Sequence, residues 1–176
     1  MSAVPVVLNS IFEYIDSKSI MCLSTAGVVD ADADIGCSKV NDSIDGGFNS
    51  SLQLRSTPVF FARRDKNFYF ISVAKTVHAA NILQNHNISA AITDNYKNYR
   101  DIKGVQIFGS CAEIERLPDI ARAALIYFSK FSDLKSFMQP EVLKSALDIG
   151  WYELHAEKLI YTDNSVRFGY KEEIDI

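Results

Sequence analysis

The chain has 176 residues, 48% of them hydrophobic and 23% charged, which suits one globular domain with a sizeable core. A net charge of −4 and a pI near 5.3 exclude a general nucleic-acid surface, which would need a basic stripe. No apolar run reaches the ~18–20 residues of a membrane span, and Glu13 and Asp16 argue against a signal peptide, so a single cytoplasmic domain over 1–176 with no membrane partner is expected.

In chain order, residues 5–17 form an amphipathic helix, with Val7, Leu8, Ile11, Phe12 and Ile15 on one face. "IMCLSTA" (20–26) reads as a strand. The segment from 27 to 56 is rich in Asp, Ser, Asn and Gly and reads as a long loop insertion. Its DADAD run lacks the later Gly and Glu of a calcium loop. "TPVFFARR" (57–64) and "NFYFISV" (67–73) make a hairpin, a helix follows over about 76–85, and "ISAAITD" (88–94) and "VQIFGSCAEIERL" (105–117) are further strands. Period-2 alternation puts Gln106, Phe108, Ser110, Ala112 and Ile114 on one side of the last of these. Pro118 and Pro140 each start a helix, the second ending at Gly150, and "WYELHAEKLIYT" (151–162) is the final strand. Six strands with few crossovers give a mainly β fold with flanking helices, an antiparallel barrel rather than a doubly wound sheet. Cys22, Cys37 and Cys111 are far apart and odd in number, as expected of reduced thiols, and no Cys/His metal spacing occurs.

The helix at 76–85 opens with the wrong sign of charge. A helix N-terminus favours carboxylates, yet this one carries Lys75 and His78, and no Asp or Glu occurs between Asp65 and Asp94. The preceding strand delivers the Ser72 hydroxyl to the end where Thr76 presents its own, so hydroxyls, cations and free backbone N–H groups converge. Such a set suits a phosphate. The plainer reading is Thr76 as an N-cap, Lys75 as a solvated lysine and His78 facing water.

"TPVFFA" (57–62), "KTVHAANI" (75–82) after an aromatic strand, "GVQIFG" (104–109) and "TDNSVRFG" (162–169) occur together in this order. The pattern resembles the pyridoxamine 5′-phosphate oxidase-like FMN-binding split barrels, in particular a YhbP-like branch, over nearly the whole chain except 27–56. The resemblance implies a six-stranded antiparallel split β-barrel and a homodimer with FMN at its interface. It places Ser72, Lys75, Thr76 and His78 around the FMN phosphate, His78 standing where the oxidase usually has lysine. It further implies Gln106 on the inner face near the polar edge of the flavin ring, Val59, Phe60 and Phe61 in the strand backing the flavin, and Trp151, Arg167 and Phe168 reaching the ring or substrate from the partner subunit.

Neither a Ser/His/Asp set nor a carboxylate pair is found, so the implied activity is a flavin-dependent oxidation or reduction of a small substrate. With Arg167 alone in the C-terminal motif, the substrate-phosphate arginine cluster of the oxidase itself is missing. The alternatives are an FMN carrier or sensor without turnover, and a split barrel holding another planar ligand such as haem, with His155 as the spare candidate on a strand.

Overall fold

The computed structural model describes residues 4–30, 50–133 and 149–176. Helix α1 (Val4–Asp16) lays Ile11 and Ile15, both fully buried, against the core, as its i, i+4 spacing demands. Two long strands follow, β1 (Ile20–Asp30) and β2 (Ser50–Phe60), paired antiparallel along their whole length from Ile20↔Phe60 to Asp30↔Ser50. The ends of the predicted 27–56 loop are therefore strands, a correction to the sequence reading; 31–49 lie outside the described residues. β3 (Ala62–Arg64) and β4 (Asn67–Val73) form the expected hairpin, turning at Asp65 with φ of 56°.

Helix α2 (Val77–Gln84) leads to β5 (Asn87–Thr93), β6 (Lys103–Glu113), α3 (Leu117–Lys130), β7 (Ile149–Asp163) and β8 (Lys171–Asp175). The predicted helix from Pro140 falls outside the described residues as far as 148, and its supposed end, Gly150, belongs to β7.

The sheet order is β2-β1-β5-β6-β7-β4-β3, with β8 added beside β7. β2 and β3 are separated only by Phe61, so one stretch of chain pairs with β1 at one end of the order and with β4 at the other. That closes six ribbons into a barrel, all neighbours antiparallel. Alternation fills it: Met21 and Leu23, Val59 and Phe61, Phe68 and Phe70, Ile88, Ala90 and Ile92, Val105 and Ile107, and Tyr152 and Leu154 form one buried cluster. Phe70 stacks on Tyr152 with ring centroids 5.2 Å apart. Cys111 is buried there, and burial pushes its thiol up to about 12, the state of an unreactive thiol. Helix α3 covers one flank, where Tyr127 and Phe128 set their ring edges against Trp151.

One irregularity matters for the site. The β6–β7 register shifts between Phe108↔Lys158 and Gly109↔Ala156, leaving Glu157 as the extra residue of a β-bulge.

Candidate functional site

The turn from β4 into α2 does bring the predicted hydroxyls and His78 together. Ser72 Oγ lies 2.6 Å from His78 Nε2 and 3.3 Å from Thr76 Oγ1, and Thr76 Oγ1 is 3.3 Å from the same nitrogen. The Thr76 hydroxyl donates to the Val73 carbonyl at 2.9 Å and accepts from the Ala79 N–H, so it caps the helix as well. Its proton points to Val73 here, and donating to an anion would require the hydroxyl to turn from that carbonyl. Lys75 is exposed in the turn.

His78 does not face water. It is 8% exposed, and burial lowers its pKa, with the positive charge of Arg55 acting in the same direction. At neutral pH the ring is therefore neutral, and a dianion beside it would supply what holds a second proton.

Arg55 is the residue that the sequence reading missed. In β2 the odd positions face inward: Val59 and Phe61 set the parity, and Arg55 and Gln53 continue it beneath α2. Arg55 Nε and Gln53 Oε1 are buried and have no hydrogen-bond partner among the described residues. Across the ladder from Arg55 stands Thr25, whose hydroxyl accepts from the Asn81 amide of α2 at 3.1 Å. An unpaired buried guanidinium N–H costs free energy that an anion would return. The usable signal in "SLQLRSTPVF" was its alternation, with Leu52 and Leu54 on one face and Gln53 and Arg55 on the other.

Arg55 also links this cluster to a cavity. β1 pairs with β5 only from Cys22↔Ala91 to Ser24↔Ser89, while β1 runs on to Asp30 along β2. The two strands part there, and the seam between them holds a cavity of about 720 Å³. Thr25, Leu54 and Arg55 line it on one side, Ile88, Phe108 and Gly109 on the other, with Glu157 at its far edge. Its size suits a cofactor or other small ligand.

The seam opens on a face without charge. The outward positions of β1 (20, 22, 24, 26, 28) and β2 (52, 54, 56, 58, 60) carry no Lys, Arg, Asp or Glu, nor do those of β5 (87, 89, 91, 93) and β6 (104, 106, 108, 110). Leu52 is 69% and Leu54 75% exposed on it. An uncharged face with exposed leucines suits a contact surface.

The other sequence-predicted residues stand elsewhere. Gln106 is exposed on that outer face, correcting its expected inner position; Val105 and Ile107 take the inner one because β6 alternates in the opposite phase. Gln106 opposes Ile160 whereas Ser72 opposes Gly150, ten residues away along β7 (160 − 150), or roughly 33 Å at ~3.3 Å per residue. Within one protomer they do not meet. Val59 and Phe61 belong to the core, while Phe60 faces outward against Phe131. Trp151 packs beneath α3, and Arg167 lies exposed between β7 and β8, its guanidinium over the Tyr170 ring. His155 is taken by Asn67 at 2.7 Å, and His86 contacts the Cys111 carbonyl. Among the described residues there is no group of ligands for a metal ion, and no helix is long and apolar enough to cross a membrane.

No family model and no curated protein sequence matches the chain. Solved structures do. A protein described as a candidate pyridoxamine 5′-phosphate oxidase from Listeria innocua superposes with a TM-score of 0.60 at 11% identity, over 89% of this chain and 98% of that one. An FAD-binding protein from Mesorhizobium loti gives 0.56 at 16% identity, over 90% and 92%. The chain has the pyridoxamine 5′-phosphate oxidase-like split-barrel fold. A haem-binding protein from Mycobacterium smegmatis shares this split barrel with a TM-score of 0.60 at 12% identity, over 90% of this chain and 53% of that one. The same split-barrel frame thus serves both flavin and haem binders.

Proposed function

We propose that the chain binds FMN and acts as a flavin-dependent oxidoreductase on a small organic substrate, as a cytoplasmic homodimer of the YhbP-like branch. The observation that carries the reading is Arg55: its Nε is buried and unpaired among the described residues, its charge is felt by His78 of the Ser72–Thr76–His78 cluster, and the residue lines the seam cavity. A cation short of an acceptor and hydroxyls at a helix N-terminus fit a phosphate. Lys75, in the turn between them, would add charge at the rim. When bound, the flavin supplies the electron transfer; the residues of this chain anchor the phosphate, and the apolar walls Leu54, Ile88 and Phe108 keep water from the ring. None of the three histidines lines the cavity, which favours flavin over haem.

A visible spectrum of the purified protein before and after adding FMN tests this directly. Flavin bands, or quenching of FMN fluorescence on mixing, are expected; no response to FMN would sink the proposal. Reoxidation of NAD(P)H by the FMN-loaded protein with any acceptor separates an enzyme from a carrier.

Changing Lys75 and Thr76 together to Ala should weaken FMN about tenfold or more, since each charge-assisted hydrogen bond contributes ~1.5–3 kcal/mol. Riboflavin, which lacks the phosphate, should lose much less. Equal losses for both ligands, measured by fluorescence titration, would remove this helix as the anchor.

The uncharged face supports the dimer. It covers four strands, includes the free edge of β2 and carries Gln106, so a second copy there brings Gln106 towards a site shared between subunits. Leu52→Arg, outside the cavity, is expected to give a monomer in light-scattering measurements; a dimer of unchanged stability would place the interface elsewhere.

A further inference from the structure

Two charged residues line the seam cavity, one on each side of it: Arg55 on β2 and Glu157 on β7. In sheet order β1, β5 and β6 lie between them, four strand spacings or roughly 19 Å along the sheet at ~4.8 Å each. No ion pair joins them among the described residues. Glu157 reaches the cavity because of the bulge. It has no partner in the ladder, and the side chains of both Glu157 and Lys158 turn outward in succession. Its carbonyl accepts from the Ile176 N–H at 2.9 Å, which fixes the backbone of the bulge. Lys158, the nearest cation in sequence, is occupied by Glu173 at 2.6 Å. A bulge on a central strand pair gives up ladder hydrogen bonds; here it sends a carboxylate to the rim of a cavity that Arg55 lines on the other side.

We propose that Glu157 sets the ligand specificity of the seam cavity, selecting a ligand that is anionic where it meets Arg55 and offers an N–H donor or a cationic group where it meets Glu157. The inference rests on reading the cavity as the ligand site. It favours a phosphorylated heterocycle with an imide or amine at its other end, as FMN is. It disfavours ligands with carboxylates at the Glu157 end and ligands without a donor there, because the carboxylate is then left facing an acceptor. Haem, whose peripheral polar groups are two propionates, is of the disfavoured kind.

The test uses the full chain and two probes, FMN followed by fluorescence quenching and haemin followed by its Soret band. Wild type should prefer FMN. Glu157→Lys should shift the FMN-to-haemin affinity ratio towards haemin by about tenfold or more, and Glu157→Gln by less, in the same direction. Glu157 is exposed, so both variants should keep the wild-type thermal midpoint; if the lysine variant does not fold, Glu157→Gln and Glu157→Ala decide. A ratio unchanged in folded variants that still bind FMN would overturn the role of Glu157 alone. Wild type that binds no FMN, or Arg55→Met that binds it undiminished, would overturn the cavity reading itself.

Discussion

Gly109→Ala is expected to cost about 3 kcal/mol or more of stability, a loss larger than most single substitutions produce. Gly109 sits at the bulge, where β6 and β7 come unusually close. A Cβ built on it would overlap the His155 carbonyl oxygen, and would lie 2.9 Å from that carbonyl's carbon and 3.0 Å from Ala156 Cα. All three are backbone atoms of a central strand, so no change of rotamer relieves the overlap. β6 and β7 would have to separate, loosening the packing of Ile107, Cys111, Leu154 and Ala156 in the core. Gly169 is the informative control. It has φ of 72° and nothing within 4 Å of a built Cβ, so Gly169→Ala should cost only the ~1–2 kcal/mol of a left-handed conformation. Urea denaturation of both variants measures the difference. If Gly109→Ala lost no more than Gly169→Ala, the close approach of β6 and β7 would be wrong. The prediction also bears on ligand binding: relaxing the bulge would return Glu157 to the ladder, so any surviving folded protein should show altered ligand preference.

The barrel was legible in the sequence wherever one face was apolar and the other was not. The strands over 67–73 and 88–94, and the helices over 5–17, 76–85 and 118–131, follow from that periodicity to within a residue or two. The far ends of β1 and β2, 27–30 and 50–56, were not, because the amphipathy of β2 is inverted there: Gln53 and Arg55 face inward, and Leu52 and Leu54 face outward. A pattern rule that expects polar residues outside reads such a segment as loop, and the short polar residues around it reinforce the error. β8, "KEEID", was missed for a related reason. It is an edge strand in which only Ile174 is buried, and its charges suit an edge that must not recruit another strand. At the site, "SVAKTVH" announced the meeting of Ser72, Thr76 and His78, since a strand end at Val73 and a helix start at Val77 leave little freedom. Arg55 and Glu157 are supplied through strand pairing and a bulge, which local sequence does not encode.

FMN affinity is expected to fall close to tenfold for each pH unit above about 6.5, until the pKa of His78 in the complex is passed, while riboflavin affinity stays level. The sign follows from the geometry. In the free protein, burial and then Arg55 hold the His78 pKa below its ordinary value of 6.5, so the ring is neutral above that pH. A phosphate dianion at Ser72 and Thr76 favours the imidazolium and raises the pKa in the complex. Between the two pKa values each binding event takes up one proton, and raising the pH opposes it. Below about pH 6 the phosphate itself gains a proton and affinity should fall again. Folding stability runs the other way. A histidine depressed in the folded state contributes stability that is present above the unfolded pKa of 6.5 and lost as pH falls through the folded one. The free protein should therefore lose stability on acidification below about pH 6.5, and saturating FMN should offset that loss. His78→Lys separates the causes: the ordinary pKa of lysine lies about four units above that of histidine, so its FMN affinity should start to decline at a higher pH than that of wild type. Fluorescence titrations at several pH values measure the three binding profiles, and calorimetry in two buffers of different ionisation heat counts the proton. A wild-type FMN profile as flat as that of riboflavin would show that His78 does not contact the phosphate, and that Ser72 and Thr76 hold the ring only to cap and brace α2.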